Sequence, residues 1–530
     1  MPETKETRTG NTQNCPGKSA CRFEQWGWPV YLLIVLVPVA AFWQCLFLPF
    51  ILDDWAILGL CQTSSLPSLL RLFFTFGTML LYRPAGATYL TLLFKVFGEI
   101  AWPCHLLALG IHILNAAMVF RIMRRLTQEQ NIAVLCSLIY AAAVAIHLDP
   151  LCWGVGIFDL GGAFFFFTSI ILFLSGETFL SLLAFAAGML FKESTVVLPA
   201  VLVAIQLTRQ DNWGIESLRL SFRRLVPYFI LLLPVLGARM LTGMSPLALP
   251  ASHPYYANPY GVHVIENLYR YGAWMSQAFL PFGKIDSLFF HVVLGGLLAL
   301  LVVVAIRRPH SARLLSGLAL WSVLALLPVL FMPNHFYRYY ATYALPAFIC
   351  LVLLLVKELL GILGLPRYRN TILAGLGTIA IIASVGQSNR IFGEGFNQMT
   401  LVDGSCGLIR RACFVDVVRR QLLDHLPAAE AGATILLGGV DLSSFDKATG
   451  PQVWYKNAKL SVYDLTDLRG DERGLYIEKL AQPQVAGQPA ARLERIALDP
   501  GTLHAFSLKD RTLRPIAPKE LGEIAKANRR

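Results

Sequence analysis

The sequence predicts an all-α polytopic membrane protein with about eleven transmembrane helices and a small soluble α/β domain at its C-terminal end. Three observations predict it. Of 530 residues, 55% are hydrophobic and only 15% are charged, with a mean hydropathy of +0.56, whereas about a quarter of a soluble chain is charged. Apolar runs recur from Val30 to Ser388, many of them near the roughly 20 residues that a helix needs to cross a bilayer core. After Ser388 the hydropathy falls, and short alternating segments replace the long runs.

In chain order, a polar tail (1–28) precedes a first span, Pro29–Phe50. The tail is long and the run is span-length, so it reads as an uncleaved anchor. Ten further spans follow: Trp102–Arg121, Ile132–His147, Trp153–Leu174, Phe179–Phe191, Ser194–Leu207, Val226–Leu241, Leu288–Ile306, Leu314–Met332, Ala341–Leu360 and Thr371–Ser388. The first inter-span loop (52–101) has its own helix signals. In "SSLPSLLRLFFTFGTML", Ser64 and Ser65 are candidate N-caps and Pro67 lies in the first turn, which suits a helix lying in the membrane interface. "RPAGATYLTLLFKVFG" is a candidate second one. The other large loop (242–287) holds the aromatic, proline-rich "SHPYYANPYGVH". In the segment 389–530, "ATILLGG" and "AKLSVYDL" pattern as strands and "RACFVDVVRRQLLDHL" as an amphipathic helix.

The charge excess is +12. Nucleic acid is excluded as a partner, because the basic residues gather at span ends rather than in a stripe with interleaved aromatics. Clusters such as Arg121–Arg124–Arg125, Arg219–Arg223–Arg224 and Arg307–Arg308–Arg313 alternate with sparsely basic loops. By the positive-inside rule the N-terminus is cytoplasmic, and the loops 52–101 and 242–287 and the C-terminal segment are extracytoplasmic. Ten cysteines show no CxxC pair and no metal-ligand spacing. Cys406 and Cys413 are the close pair outside the spans, a candidate disulfide in an oxidising compartment.

Polar groups collect on the extracytoplasmic side. Asp53 and Asp54 follow the first span; Tyr82 and Arg83 lie in the first loop; His147 and Asp149 end the third span. Asp159 begins the fourth, Lys192 and Glu193 separate the fifth and sixth, and His335, Arg338 and Tyr339 follow the ninth. Taken singly, each has a structural alternative: a helix boundary, an interfacial anchor or a local ion pair. Taken together, they bring acids and cations from separate segments to one membrane level, the groups that transfer from an anionic leaving group requires. Adjacent carboxylates repel each other's charge and raise one pKa, suiting one of them as a base. Lysine and arginine neutralise a departing phosphate.

The "DD" after the first span, "YRPAGATYLTLLFKVFG", "HLLALGIHILNAAMVFRIMRRL", "YAAAVAIHLDPLCWGVGIFDL", "FKESTVVLPAVL" and "PNHFYRYYATYALPAF" resemble the GT-C class of membrane glycosyltransferases. Within it, the chain is most similar to TMTC-type mannosyltransferases, protein O-mannosyltransferases and lipid A aminoarabinose transferases. No tetratricopeptide array follows, unlike the TMTC pattern, and "FDL" at Phe158–Leu160 stands where relatives often keep a basic or polar element. The resemblance covers roughly Val30 to Ser388. It implies transfer of one sugar from a polyprenyl-phosphate carrier, such as undecaprenyl phosphate, to an extracytoplasmic hydroxyl. The acceptor would be a glycolipid, polysaccharide or protein of the cell envelope. It implies a first-loop acid as general base, with Asp53 matching better than Asp54, and Lys192, Arg338 and Arg83 as contacts to the donor phosphate. His147, Asp149, Glu193, His335 and Tyr339 are supporting residues. No cofactor is required by the pattern, and a divalent cation is left open.

Two other classes fit less well. A polysaccharide polymerase or ligase should carry an arginine-rich central loop, but 242–287 holds only Arg270. A transporter or flippase should bury charges at mid-span and show paired repeats, and the sequence has neither pattern. The absence of any Asn-x-Ser/Thr site accords with a bacterial inner membrane.

Overall fold

A computed structural model describes residues 28–75, 82–209, 215–241, 247, 249–282, 284–285, 287–397, 407–472, 474–481 and 492–528. All eleven stretches expected to span are helical. Helix α1 (Pro29–Phe42) tightens into a 3-10 turn to Phe47, and the first loop then folds as three short helices, α2 (Asp53–Thr63), α3 (Leu66–Phe74) and α4 (Pro84–Phe97). As the sequence anticipates, the Ser65 side chain caps α3, its hydroxyl accepting from the Ser68 N–H, and Pro67 sits in the first turn. The bundle continues with α5 (Trp102–Thr127), α6 (Gln130–Ala142), α7 (Val144–Cys152), α8 (Ile157–Leu174), α9 (Thr178–Phe191), α10 (Leu198–Arg209) and α11 (Ile215–Leu241). It is completed by α12 (Val262–Ser276), α13 (Leu288–Arg307), α14 (Pro309–Leu324), the single turn α15 (Leu327–Leu330), α16 (Leu345–Ile362) and α17 (Arg369–Asn397).

Among the described residues, six helices are long and apolar enough to cross a membrane, and a seventh crossing is formed if α6 and α7, bent by 49° at Ala143, count as one. The four other expected spans are α9, α10, α11 and α14. Helix α9 has 14 residues and α14 has 16, which at 1.5 Å per residue fall short of a hydrocarbon core of about 30 Å. The protein is thus an integral membrane protein in which several helices stop partway, and one such stop, after Phe191, places Lys192.

The two ends of the bundle differ in charge. Helix α5 begins beside Glu99, which pairs with Arg419 of the C-terminal segment, and ends at the basic cluster Arg121–Arg124–Arg125. At that far end Arg125 donates to Ser175, Lys357 pairs with Glu129 and Ser311 donates to Glu358.

The C-terminal domain starts with α18 (Gly407–His425), the amphipathic helix expected from its pattern, and alternates β1 (Thr434–Gly438), α19 (Thr449–Trp454), β2 (Ser461–Asp464), β3 (Leu468–Asp471), β4 (Gly474–Ala481), β5 (Arg492–Ala497), β6 (Leu503–Lys509), β7 (Thr512–Pro515) and α20 (Pro518–Ala527). One sheet has the order β2-β1-β6-β7, with β1 parallel to both neighbours and β7 antiparallel to β6; the other is the antiparallel β3-β4-β5. This is the α/β module the sequence predicts. The expected Cys406–Cys413 pairing lies outside the described residues at Cys406, and Cys413 is a free thiol.

The domain docks on the first loop. The Leu52 N–H donates to the Ser444 carbonyl at 2.8 Å, the Trp55 and Trp454 rings meet edge-to-face at 5.6 Å, and Trp454 packs on Phe445. Both tryptophans are buried. Trp454→Ala is expected to cost about 3–5 kcal/mol and to raise hydrogen-exchange rates in both α2 and α19. Faster exchange in α19 alone would show that the domain does not support the first loop.

Candidate active site

The two adjacent acids have different surroundings. Helix α2 opens at Asp53, so the next position is turned about 100° around its axis. Asp54 points inward and is fully buried. Its Oδ2 accepts from the N–H groups of Ile51 (3.1 Å) and Gly154 (3.1 Å), and its Oδ1 accepts from the Val155 N–H (2.8 Å). Burial pushes the Asp54 carboxyl up to about 7, against the pull of those three donors. Gly154 is required at this contact, since a Cβ there would lie 2.7 Å from Asp54 Oδ1. Asp54 thus ties the end of the first span to the turn between α7 and α8, and it is not among the residues that line the cavity of Asp53. Asp53 faces the other way. Partial burial, and then the charge of Asp446 in the C-terminal domain, raise its carboxyl above the ordinary range, opposed by Arg83.

Asp53, Arg83, Asp159 and Lys192 line one cavity of about 270 Å³ whose other walls are mainly aromatic: Tyr82, Trp153, Phe158, Tyr255, Tyr339 and Tyr340. The cations are held by acids. Arg83, ahead of α4, forms a two-pronged pair with Glu193, its Nε 2.6 Å from Oε2, and its guanidinium lies 5.2 Å from the Phe158 ring centre. Lys192 Nζ donates to Asp159 Oδ2 at 3.0 Å and sits over the Tyr340 and Tyr339 rings at 5.1 and 5.7 Å. Helix α9 can approach α8 this closely because Gly162 has no side chain; a Cβ there would stand 2.8 Å from Lys192 Cβ and 2.4 Å from the Tyr343 hydroxyl.

The remaining expected residues are divided. Arg338 and Asp149 line a second cavity and not that of Asp53. His147 is buried inside the bundle, its ring tilted against His112 at 4.4 Å and edge-to-face with Tyr140 at 4.6 Å. His335 lies tilted against the Tyr255 ring at 4.2 Å; burial, then the nearby Lys192 and Arg83, lower its pKa to about 4, so it is a neutral imidazole at neutral pH. It braces the Tyr255 loop, which is further joined to the Arg338 turn region by Asn258 N–H to Phe331 O at 2.7 Å. Trp153, Phe158 and Tyr255 were not among the sequence candidates, although "SHPYYANPYGVH" signalled an aromatic loop. Asp446 was missed as well, and "FDKATG" carries no local mark of its proximity to Asp53. Among the described residues no cluster of three or more His, Cys, Asp or Glu side chains is arranged to hold a metal ion.

Comparison with known proteins gives no matching family model and no matching curated protein. Among solved structures, the chain is similar to ArnT from Cupriavidus metallidurans bound to undecaprenyl phosphate, at 12% identity and a TM-score of 0.47 over 82% of this chain and 86% of that one. It is also similar to the Archaeoglobus fulgidus oligosaccharyltransferase in its apo form, at 12% identity and a TM-score of 0.46 over 80% of this chain and 63% of that one. Both are GT-C glycosyltransferases, the class whose motifs this sequence resembles.

Replacing Asp54 by Ala leaves three buried N–H groups without their acceptor. The expected loss of stability is about 3–5 kcal/mol, read as a lower melting temperature of the detergent-solubilised protein. Asp53→Ala should melt within about 0.5 kcal/mol of the native protein. Equal losses at both positions would contradict the division of roles between the two acids.

Proposed function

We propose that the chain is a membrane glycosyltransferase that moves one sugar from a polyprenyl-phosphate carrier to an acceptor hydroxyl, with inversion. The observation that carries this reading is the convergence of an acid, Asp53, and two cations, Arg83 and Lys192, on a single aromatic-walled cavity. In the reaction the acceptor oxygen attacks the anomeric carbon as the anomeric C–O bond to phosphate breaks. The acceptor proton passes to the Asp53 carboxylate, and the phosphate leaves with the bonding pair. The transition state is oxocarbenium-like, so the developing negative charge on the leaving group is where stabilisation counts.

Arg83 and Lys192 supply that stabilisation. Glu193 and Asp159 hold them in place at the cavity wall, so little reorganisation is needed when an anion arrives. Aromatic faces suit the C–H side of a sugar ring, and a lipid-linked donor explains a site at the membrane edge, where the prenyl chain remains in the bilayer. Tyr339 and Tyr340 act as walls under Lys192. Asp54 acts through Asp53 by fixing the start of α2, and His335 by bracing Tyr255. The positive-inside asymmetry of the sequence supports an extracytoplasmic site in a bacterial inner membrane and a cytoplasmic N-terminus.

Loss of a general base typically costs about 10²–10⁴-fold in rate. Mass spectrometry of envelope lipids and glycans from cells bearing Asp53→Asn should therefore lack a single-sugar mass that native cells show. Identical spectra would falsify the transferase reading. The pH profile gives a second check. An acid whose pKa is raised must lose its proton at a higher pH before it can serve as base, so the acidic limb of kcat/KM should lie above the ordinary carboxylate range. Asp446→Asn removes a neighbouring negative charge and should move that limb to lower pH; Arg83→Gln removes a positive one and should move it higher. A limb that ignores Asp446 would separate the C-terminal domain from the base.

A further inference from the structure

Where the C-terminal domain docks on the first loop, α2 and α19 form the walls of a groove of about 630 Å³, within the roughly 300–1,000 Å³ typical of ligand sites. The two helices approach closely because Gly59 has no side chain; a Cβ there would stand 2.6 Å from the Thr449 methyl. The groove adjoins the Asp53 cavity, since Ala56 and Leu60 line both. Its chemistry differs. Gln62, Gln452, Asp446 and Lys456 supply its main polar groups, one acid against one base, so it carries no net charge to select an anion. The Gln452 amide is fixed in orientation by the bond from its Nε2 to the Leu460 carbonyl at 2.8 Å. Asp446 and Lys456, which flank α19, have positive φ angles of 54° and 50°, a conformation uncommon for residues that carry a side chain. Gln62, Lys456 and Ala458 are exposed at the rim. Asp446 also lies near enough to Asp53 for its charge to act on that carboxyl, so whatever lies along α19 ends beside the proposed base.

We infer that this groove seats the acceptor, an uncharged saccharide chain whose terminal hydroxyl reaches Asp53 past Ala56. The inference rests on the proposed transfer reaction and adds what carries the accepting hydroxyl and where it lies. A hydroxyl both donates and accepts hydrogen bonds, and a side-chain amide offers both at one position. The Asp446 carboxylate and the Lys456 ammonium extend that set to a run of hydroxyls, while Ala56, Leu60 and Val453 give the groove an apolar side for the C–H faces of sugar rings. An extended peptide fits less well, because both walls are helical and neither offers a strand edge to its backbone. The α19 wall lies beyond Ser388, outside the stretch that carries the transferase motifs. The C-terminal domain therefore contributes a choice of acceptor that those motifs do not encode.

The test fills the groove from its rim and leaves the Asp53 cavity alone, using full-length variants. Two quantities are read: the rate at which membranes from cells making each variant add the single-sugar mass, by mass spectrometry, and binding of undecaprenyl phosphate to the purified protein in detergent, by calorimetry. Ala458→Trp should lower the rate at least about tenfold, and Gln62→Ala with Lys456→Ala, which removes two hydrogen-bonding side chains, about tenfold. Lys459→Trp, which puts the same ring on the neighbouring surface outside the groove, should keep the native rate. All three should bind undecaprenyl phosphate as the native protein does, whereas Arg83→Gln should weaken that binding, which tells the two cavities apart. If native membranes add no such mass, the transfer reading fails and this inference falls with it. If they do and Ala458→Trp adds it at the native rate, the groove is not the acceptor site, while the transfer reading stands. The inference is also overturned if Ala458→Trp loses undecaprenyl phosphate binding, or if the added mass is found on a peptide or on a lipid without saccharide.

Discussion

Two ion pairs at the membrane edge, Lys192 with Asp159 and Arg83 with Glu193, set the constraint that the rest of the site obeys. A charge taken from water without a partner is costly, and removing one member of a buried pair leaves the other stranded. The chain therefore had to bring the start of α4, the first turn of α8 and the end of α9 to one level at once. The short α9 meets this demand by stopping at Phe191, so that Lys192 turns inward where a longer helix would have carried it past Asp159. The Tyr339 and Tyr340 rings beneath Lys192 offer surroundings that tolerate an ammonium ion.

Much of this arrangement was legible in the chain. Hydropathy located the long apolar helices of the bundle, whereas α2 (Asp53–Thr63) carried no span-like run to mark it. The chemical types at the span ends named Asp53, Arg83, Lys192, Asp159 and Glu193 before their partners were known. What stayed hidden depends on angles that composition does not encode. Asp53 and Asp54 are neighbours on α2 and face nearly opposite environments, and which one is buried follows from where the helix begins. Arg338 and Tyr339 lie in a 3-10 turn, where each step rotates about 120°, so residues that look like one cluster in the sequence divide between two cavities. Asp446 was illegible for another reason: its relation to Asp53 arises from docking of a separate domain, and no local pattern signals that.

The same geometry separates holding from reacting. Asp54, Glu193, Asp159 and His335 all touch the site, but each does so by fixing something else: the start of α2, the reach of Arg83, the reach of Lys192, the Tyr255 loop. The hydroxyls and rings on the wall supply shape. That leaves few groups with free capacity toward a substrate, and it gives the cavity a rigid frame in the absence of one.

The hydrogen bond from Leu52 to Ser444 also has a meaning in time. Leu52 has a positive φ of 50°, a backbone conformation that a bulky residue adopts only when its neighbours impose it. The residue that caps this kink is made much later. At synthesis rates of about 5–20 residues per second, the ribosome reaches Ser444 roughly 20–80 s after Leu52. Until then the turn that presents Asp53 is held by the Asp54 hydrogen bonds alone, without the Ser444 contact. The contact that joins the first loop to the β1–α19 connection therefore forms only after every helix of the bundle has been synthesised.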